Sequence, residues 1–253
     1  MAQTAIEAVD DAREILRHER RRVADEREAF DRFARLLAGV ESETPTATTG
    51  SRTLLGDGGV SAGARAVRDH YQSTVMSVPH YDSEYGDSYR ESLAIEFGPD
   101  VAAALESGFD ARTKQAVHAA ARDAHADRVR FVDALDAEAA ALTDYRETCL
   151  AIADERLAVA EEAHGCEEYG TLDALRTRCL TLEADCDDLA GERQQAVRAC
   201  RADLGLPDAY PNLQEYLYAP LETDYPVLAA TTDIAAQLRD CRQTVEERLA
   251  LAS

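Results

Sequence analysis

The sequence predicts an all-α fold, an elongated helical bundle built on a long antiparallel coiled-coil hairpin. Two observations carry this prediction. The chain has seven prolines and none lies between residues 100 and 206, so nothing in this span would break a helix interior. Within the same span, apolar residues recur at alternating steps of three and four, the spacing of a helix seam, and no segment alternates as a strand does.

The first predicted element is a long helix over residues 1–38. Its apolar residues recur at intervals of seven, at Val9, Leu16, Val23, Phe30 and Leu37. So narrow a stripe cannot cover a broad core. We therefore expect this helix to pack lengthwise against a partner helix.

Two segments of different character follow the first helix. Residues 39–64 are rich in threonine, glycine and serine, which predicts a flexible linker. Residues 65–108 predict a small, tyrosine-rich helical module of three short helices. In this module Ser88 and Glu91 form a capping-box pattern that opens one helix, and Pro99 opens the next.

The central element is the antiparallel hairpin, at residues 109–204. Asp110 is a suitable N-cap for the first arm, which runs without a helix breaker to His164. Gly165 begins the turn, and Thr171 is the predicted cap of the second arm, which we expect to run to about Leu204.

The register of the hairpin is set by two charges in its apolar seams. Antiparallel pairing across the turn brings Glu138 opposite Arg193, so that the two seam charges neutralise each other. A register shifted by one heptad would bring Tyr145 beside Arg193 instead. We therefore predict the register that pairs Glu138 with Arg193.

Two segments complete the chain. Residues 205–226 are rich in proline and tyrosine and predict an irregular connection. Residues 227–253 predict a C-terminal helix that opens at Pro226. Its apolar face consists of Val227, Ile234, Leu238, Cys241, Val245 and Leu249.

The charge of the chain indicates where the protein works. The 49 acidic and 27 basic residues give a net charge of −22, and Lys114 is the one lysine. Such a charge repels itself in dilute buffer but is screened at molar salt, where the Debye length is ~3 Å. This composition is typical of a halophile, and we predict a cytoplasmic protein. Nucleic acid is disfavoured as a partner, because phosphate contacts need clustered cations.

Membrane insertion and metal binding are also disfavoured by the sequence. No run approaches the ~18 apolar residues of a membrane span, and the acidic start lacks the pattern of a signal peptide. The six cysteines form no C-x-x-C pair. We interpret them as small buried hydrophobic residues in a reducing cytosol, with disulfides or a metal site as the alternatives.

Tyrosine is concentrated in two windows of the sequence. Eight of the ten tyrosines lie at residues 71–89 and 210–225. Because tyrosine is enriched at interfaces, the first window predicts an interaction surface. Its candidate residues are Tyr71, His80, Tyr81, Tyr85, Tyr89, Arg65 and Arg68. The alternative is that the tyrosines close the ends of the bundle; convergence of both windows on one cleft would favour a binding site.

Catalytic motifs are absent from the sequence. It contains no G-x-S-x-G turn, no phosphate-binding loop and no dinucleotide fingerprint. We therefore predict a protein that is not an enzyme and that has no catalytic residue, metal site or cofactor. The remaining enzyme hypothesis would use His70, His80, Glu84 and Tyr85 as a group.

One segment resembles a known group of proteins. Residues 79–105, PHYDSEYGDSYRESLAIEFGPDVAAAL, together with their acidic helical flanks, are similar to an uncharacterised haloarchaeal family of acidic helical proteins, a domain of unknown function. The resemblance implies an all-α fold and a halophilic origin over most of the chain. It implies no activity and no catalytic residue.

These observations favour a non-enzymatic interaction or scaffold protein. Its long helices would bind a protein partner or a second copy of the chain, as a homodimer, and its tyrosine-rich module would supply the specific contact. Sedimentation as a compact monomer in molar KCl would exclude the homodimer. The alternative is a regulatory protein that senses a ligand or acts with a nucleic-acid-associated partner, through a helix-turn-helix carrying Arg65, Arg68 and Arg90.

Overall fold

Nine α-helices form the described part of the chain in the computed structural model, which describes residues 2–43, 61–199 and 212–252. No strand occurs in these three ranges, so the predicted all-α class is confirmed. The helices are α1 (Ala2–Ala38), α2 (Ala62–Thr74), α3 (Tyr81–Glu84), α4 (Tyr89–Phe97), α5 (Pro99–Ser107), α6 (Ala111–Ala163), α7 (Tyr169–Ala199), α8 (Leu213–Tyr218) and α9 (Pro226–Leu249).

Several sequence-based predictions fall outside the described residues. These are the greater part of the linker at 39–64, the last residues of the second hairpin arm, residues 205–211 of the connection at 205–226, Cys200 and Tyr210. Within the described residues, no helix is both long enough and apolar enough to cross a membrane.

The chain divides into two compact units. The hairpin unit comprises Met1–Glu19 and Ala134–Ser253, and the tyrosine unit comprises Arg20–Asp133. Each unit therefore contains part of α1 and part of α6. The six-segment division proposed from the sequence stays a prediction.

Helix α6 is the partner that the narrow stripe of α1 requires. All five stripe residues are buried. In the hairpin unit, Arg146 of α6 donates two hydrogen bonds to Asp10 of α1, at 2.6 and 2.9 Å. In the tyrosine unit, Arg128 donates to Glu26 at 3.2 Å. Lys114 of α6 also donates to the backbone oxygen of Ala38 at 3.1 Å, so residue numbers fall along α1 as they rise along α6, and the two helices are antiparallel in the tyrosine unit.

The predicted register of the hairpin is confirmed. Arg193 of α7 donates two hydrogen bonds to Glu138 of α6, at 3.0 and 2.5 Å, and both side chains are buried. Nearer the turn, Arg178 of α7 binds Glu155 of α6, so the two arms run in opposite directions. The Tyr145 ring also contacts Arg193, whose guanidinium lies 5.4 Å from the ring centroid. Arg193 therefore contacts both Glu138 and Tyr145, although the sequence suggested that each contact belongs to a different register.

The buried carboxylate of Glu138 also anchors the segment before α9. Gln214 of α8 donates to it at 3.1 Å, and the hydroxyl of Tyr218 donates at 2.7 Å. With Arg193 these side chains supply four hydrogen bonds to one carboxylate. Buried charges are tolerated when they are paired and hydrogen-bonded in this way.

Helix α9 completes the apolar core of the hairpin unit. Val159, Leu172, Leu175, Val245 and neighbouring residues of α6, α7 and α9 form one buried cluster near the turn. Four cysteines lie in these helix contacts as buried free thiols, and Cys166 is half-buried. Their burial agrees with the interpretation of the cysteines as small apolar residues.

The helix ends follow most of the predicted signals. The capping box of Ser88 and Glu91 is present, and Asp110 accepts a hydrogen bond from the Thr113 backbone nitrogen at 2.7 Å. The predicted cap at Thr171 is wrong. Helix α7 already begins at Tyr169, and the Thr171 hydroxyl donates to the carboxylate of Glu168 at 2.9 Å.

Candidate interaction surface of the tyrosine unit

Tyr71, the first residue of the predicted surface, is a core residue. Its ring is fully buried and packs edge-on against Phe33, Phe97 and Tyr89, with centroid distances of 5.3, 5.7 and 5.6 Å. Its hydroxyl shares a hydrogen bond of 2.9 Å with Ser92. Burial raises the pKa of Tyr71 well above its usual value, so the phenol stays neutral.

Tyr81 is also buried and cannot contact a partner directly. Its ring packs with Ala29 and Val78 and lies 5.6 Å from the ring of Tyr85. The sequence placed Tyr71 and Tyr81 in an interaction surface, whereas the structure places both in the core. The helices in this window are too short for their periodicity to show which tyrosines are buried and which are exposed.

His80 and Tyr85 converge on one buried carboxylate, that of Glu26. The Tyr85 hydroxyl donates to Glu26 Oε1 at 2.7 Å, and His80 Nε2 lies 3.0 Å from the same oxygen. Arg128 of α6 donates to Glu26 Oε2 at 3.2 Å and to Glu96 of α4 at 2.6 Å. This cluster ties α1, α4, α6 and the segment around α3 together.

Burial and charge act in opposite directions within this cluster. Burial alone would raise the pKa of Glu26, but Arg128, His80 and Tyr85 outweigh it and hold the pKa below its usual range. At Glu96 burial prevails over Arg128, and the pKa is raised. The guanidinium of Arg128 lies 4.8 Å from the centroid of the Phe30 ring, which covers one of its faces.

This arrangement is suited to holding helices rather than to reacting with a substrate. Both oxygens of Glu26 accept hydrogen bonds from neighbouring side chains, so the carboxylate is not available as a base. Glu84, a member of the group in the enzyme hypothesis, pairs with Arg22 at 2.7 Å and not with His80 or Tyr85.

The second tyrosine window follows the same pattern in the hairpin unit. Tyr216 donates to Glu19 at 2.7 Å and Tyr225 donates to Glu215 at 2.6 Å, in addition to the bond from Tyr218 to Glu138. The described tyrosines of the two windows therefore serve separate units. Three of them, Tyr85, Tyr216 and Tyr218, hold short segments onto the long helices α1 and α6.

A groove in the tyrosine unit is the feature best suited to binding. It has a volume of about 330 Å³ and lies between α2, α4 and α5. Its lining is mainly apolar, and its residues are Ala64, Arg68, Tyr89, Arg90, Leu93, Ala102, Leu105 and Glu106. Tyr89 and Arg68 belong to the surface predicted from the sequence; Arg65 is exposed on α2 and does not line the groove.

The polar groups of the groove are two arginines, one glutamate and one phenol. The guanidinium of Arg68 lies 5.0 Å from the centroid of the Tyr89 ring, and Arg90 pairs with Glu106 at 2.9 Å. The hydroxyl of Tyr89 is buried and has no hydrogen-bond partner. Burial raises the pKa of Tyr89 to about 12, with Arg68 acting in the opposite direction, so the hydroxyl is a donor at neutral pH.

The described ranges contain no group of three or more histidine, cysteine, aspartate or glutamate side chains that could hold a metal ion.

The chain belongs to the DUF7260 family, described as a domain of unknown function, because the model of that family matches residues 7–242. Neither the curated proteins nor the solved structures contain a significant match to the chain. Family membership therefore supplies no activity, substrate or partner.

Proposed function

We propose that this member of the DUF7260 family is a non-enzymatic interaction protein whose groove between α2, α4 and α5 binds a protein partner. The partner would insert an apolar side chain into the groove, and the residue next to it in the partner's sequence would be aspartate or glutamate. One observation carries this proposal: on a chain of net charge −22, Arg68 and Arg90 stand at an apolar groove that also holds an unsatisfied buried hydroxyl.

The apolar lining supports an aliphatic or aromatic anchor. Ala64, Leu93, Ala102 and Leu105 provide a floor of small and branched side chains. A volume of about 330 Å³ is at the lower end of ligand sites, which suits one or two inserted side chains. Full burial of one such side chain contributes ~1.5–3 kcal/mol.

The charged lining supports an acidic neighbour to that anchor. Arg68 is exposed and its described contact is with the Tyr89 ring, so its guanidinium can bind a carboxylate. Arg90 pairs with Glu106 in a solvent-exposed bridge, which contributes little and can be exchanged. The Tyr89 hydroxyl can donate to a backbone carbonyl of the partner, which would satisfy it.

Peptide selection tests the proposal and does not require the partner to be identified first. A phage-displayed library of random peptides is selected against the immobilised protein. We expect enrichment of a bulky apolar residue adjacent to aspartate or glutamate. Arg68→Gln should remove the preference for the acidic residue, and Ala102→Leu, which fills the groove, should remove the enrichment altogether.

Ala103→Leu is the matched control, because Ala103 lies on the exposed side of the same helix. Selected peptides should bind this variant as they bind the wild type. Circular dichroism establishes that each variant is folded. Absence of any enriched motif, or equal enrichment on Ala102→Leu, would contradict the proposal.

Two wider features of the proposal rest on composition. The acidic surface supports a halophilic cytoplasm as the working environment, and the long helices support self-association as a homodimer. The nucleic-acid alternative has less support, because the chain carries a net charge of −22 and Glu106 lies beside Arg90, whereas phosphate contacts need clustered cations.

A further inference from the structure

The hairpin unit contains a second cavity, between the end of α6 and the end of α9. Its volume is about 300 Å³. Most lining residues are spaced three or four apart along α6 and α9, so one face of α6 meets one face of α9. They are Arg156, Ala160, Ala163 and His164 on one side, and Gln237, Asp240, Cys241, Thr244 and Arg248 on the other.

Two arginines face this cavity without an acidic partner. No described carboxylate lies within 4.0 Å of the guanidinium of Arg156 or Arg248, although the chain contains 49 acidic residues. The Nε atom of Arg156 is buried and has no hydrogen-bond acceptor. A buried charged donor left unsatisfied is costly, so the Nε of Arg156 requires an acceptor from outside the chain, either solvent or a bound ligand.

Helix electrostatics account for only one of these arginines. Arg248 lies in the last turn of α9, where a cation interacts favourably with the helix C-terminus. Arg156 lies two turns before the end of α6, beyond the range of that effect. The electrostatics of its own helix therefore do not account for the position of Arg156.

An acidic residue in the same cavity restricts the kind of anion that could bind to the two arginines. Asp240 lines the same cavity, and no described cation lies within 4.0 Å of its carboxylate. The Thr244 hydroxyl bonds to the backbone oxygen of Asp240 at 3.0 Å and leaves the carboxylate uncommitted. A polyanion would be repelled by Asp240 and by the net charge of −22.

We propose that this cavity binds a small zwitterion of the amino-acid class. Its carboxylate would accept hydrogen bonds from Arg156 and Arg248, and its ammonium group would donate to Asp240. Gln237 can bind either group through its amide. This site lies within the hairpin unit and does not depend on the groove of the tyrosine unit.

Saturation-transfer NMR with the common L-amino acids tests the proposal on the full chain in molar KCl. We expect transfer to at least one amino acid, and calorimetry then gives its dissociation constant. Arg156→Gln should weaken binding at least about tenfold, the typical effect of losing a charge-assisted hydrogen bond. Asp240→Asn should weaken binding of the amino acid but not of the corresponding carboxylic acid that lacks the amino group.

Arg122→Gln is the matched control, because Arg122 is an exposed arginine of α6 outside the cavity. Arg248→Gln serves as the second site variant if Arg156→Gln does not fold. Lack of binding by every amino acid, or binding that Arg156→Gln and Arg248→Gln leave unchanged, would overturn the proposal. Equal binding of inorganic phosphate or of the deaminated acid would show a plain oxyanion site and would also overturn it.

Discussion

At the scale of single residues, this chain uses its surplus of glutamates as acceptors inside the helix contacts. Glu26 and Glu138 each collect several donors, which include a tyrosine hydroxyl and an arginine. Glu26 remains ionised although it is buried, because Arg128, His80 and Tyr85 outweigh the opposing effect of burial and lower its pKa. Acidic residues therefore contribute to the interior as well as to the surface.

The buried pair of Glu138 and Arg193 gives the first prediction at this scale. Arg193→Met removes two hydrogen bonds and leaves the Glu138 carboxylate buried with only Gln214 and Tyr218 as donors. We expect the free energy of unfolding to fall by ~3–5 kcal/mol, because an uncompensated buried charge remains. Urea denaturation followed by circular dichroism measures the change.

Two further variants separate this effect from loss of side-chain volume. The double variant Glu138→Gln with Arg193→Met removes both charges but keeps an amide oxygen that can accept from Gln214 and Tyr218, so it should recover part of the lost stability. Arg130→Met breaks the exposed pair of Arg130 with Asp127 and should change the free energy of unfolding by less than ~1 kcal/mol. A double variant no more stable than Arg193→Met would contradict the role assigned to the pair.

At the scale of elements, long periodic helices could be predicted from the sequence and short ones could not. The stripe of α1, the capping box at Ser88 and the pairing of Glu138 with Arg193 each depend on residues at fixed helical spacing. Helices α3 (Tyr81–Glu84) and α8 (Leu213–Tyr218) are too short to show a period, and tertiary contacts hold them in place.

The candidate sites could be predicted only in part from the sequence, for a similar physical reason. Residue type alone points to Tyr89 and Arg68, but the groove arises only when α2, α4 and α5 approach one another. In the sequence, Arg156 is no more than a charged interruption of an apolar seam. Its unsatisfied Nε becomes visible only when α9 is packed beside α6.

The turn of the hairpin gives a prediction at the scale of elements. Gly165 has a φ of +80°, a left-handed conformation that alanine adopts at a cost of ~1–2 kcal/mol. We expect Gly165→Ala to lower the free energy of unfolding by about that amount. Differential scanning calorimetry would record this as a lower Tm.

Substitution of Gly191, in the same helical hairpin, is expected to change stability in the opposite direction. It lies within α7, and an added Cβ would meet no atom within 4 Å. Gly191→Ala should therefore stabilise the protein by ~0.5–1 kcal/mol, because alanine restricts the unfolded chain more than glycine does. A higher Tm for Gly165→Ala would contradict the left-handed turn at Gly165, and a lower Tm for Gly191→Ala would contradict the open space beside Gly191.

At the scale of the whole molecule, the net charge of −22 opposes the compact state, because like charges repel one another. Many ion pairs in the described residues join an arginine to a partly exposed carboxylate, and such pairs contribute little individually. They cannot offset the repulsion among the acidic residues that remain unpaired. The balance between folded and unfolded states should therefore depend on screening by salt.

This dependence gives the last prediction. Raising KCl shortens the Debye length from ~30 Å at 0.01 M to ~3 Å at 1 M, so repulsion between surface charges is almost removed. We expect Tm to rise steeply over the lower part of this range and to level off as screening becomes complete. Sucrose strengthens burial without screening charge, so it should raise Tm gradually and without a plateau. A Tm that does not respond to KCl, or that responds to KCl and sucrose in the same gradual way, would contradict adaptation of this surface to high salt.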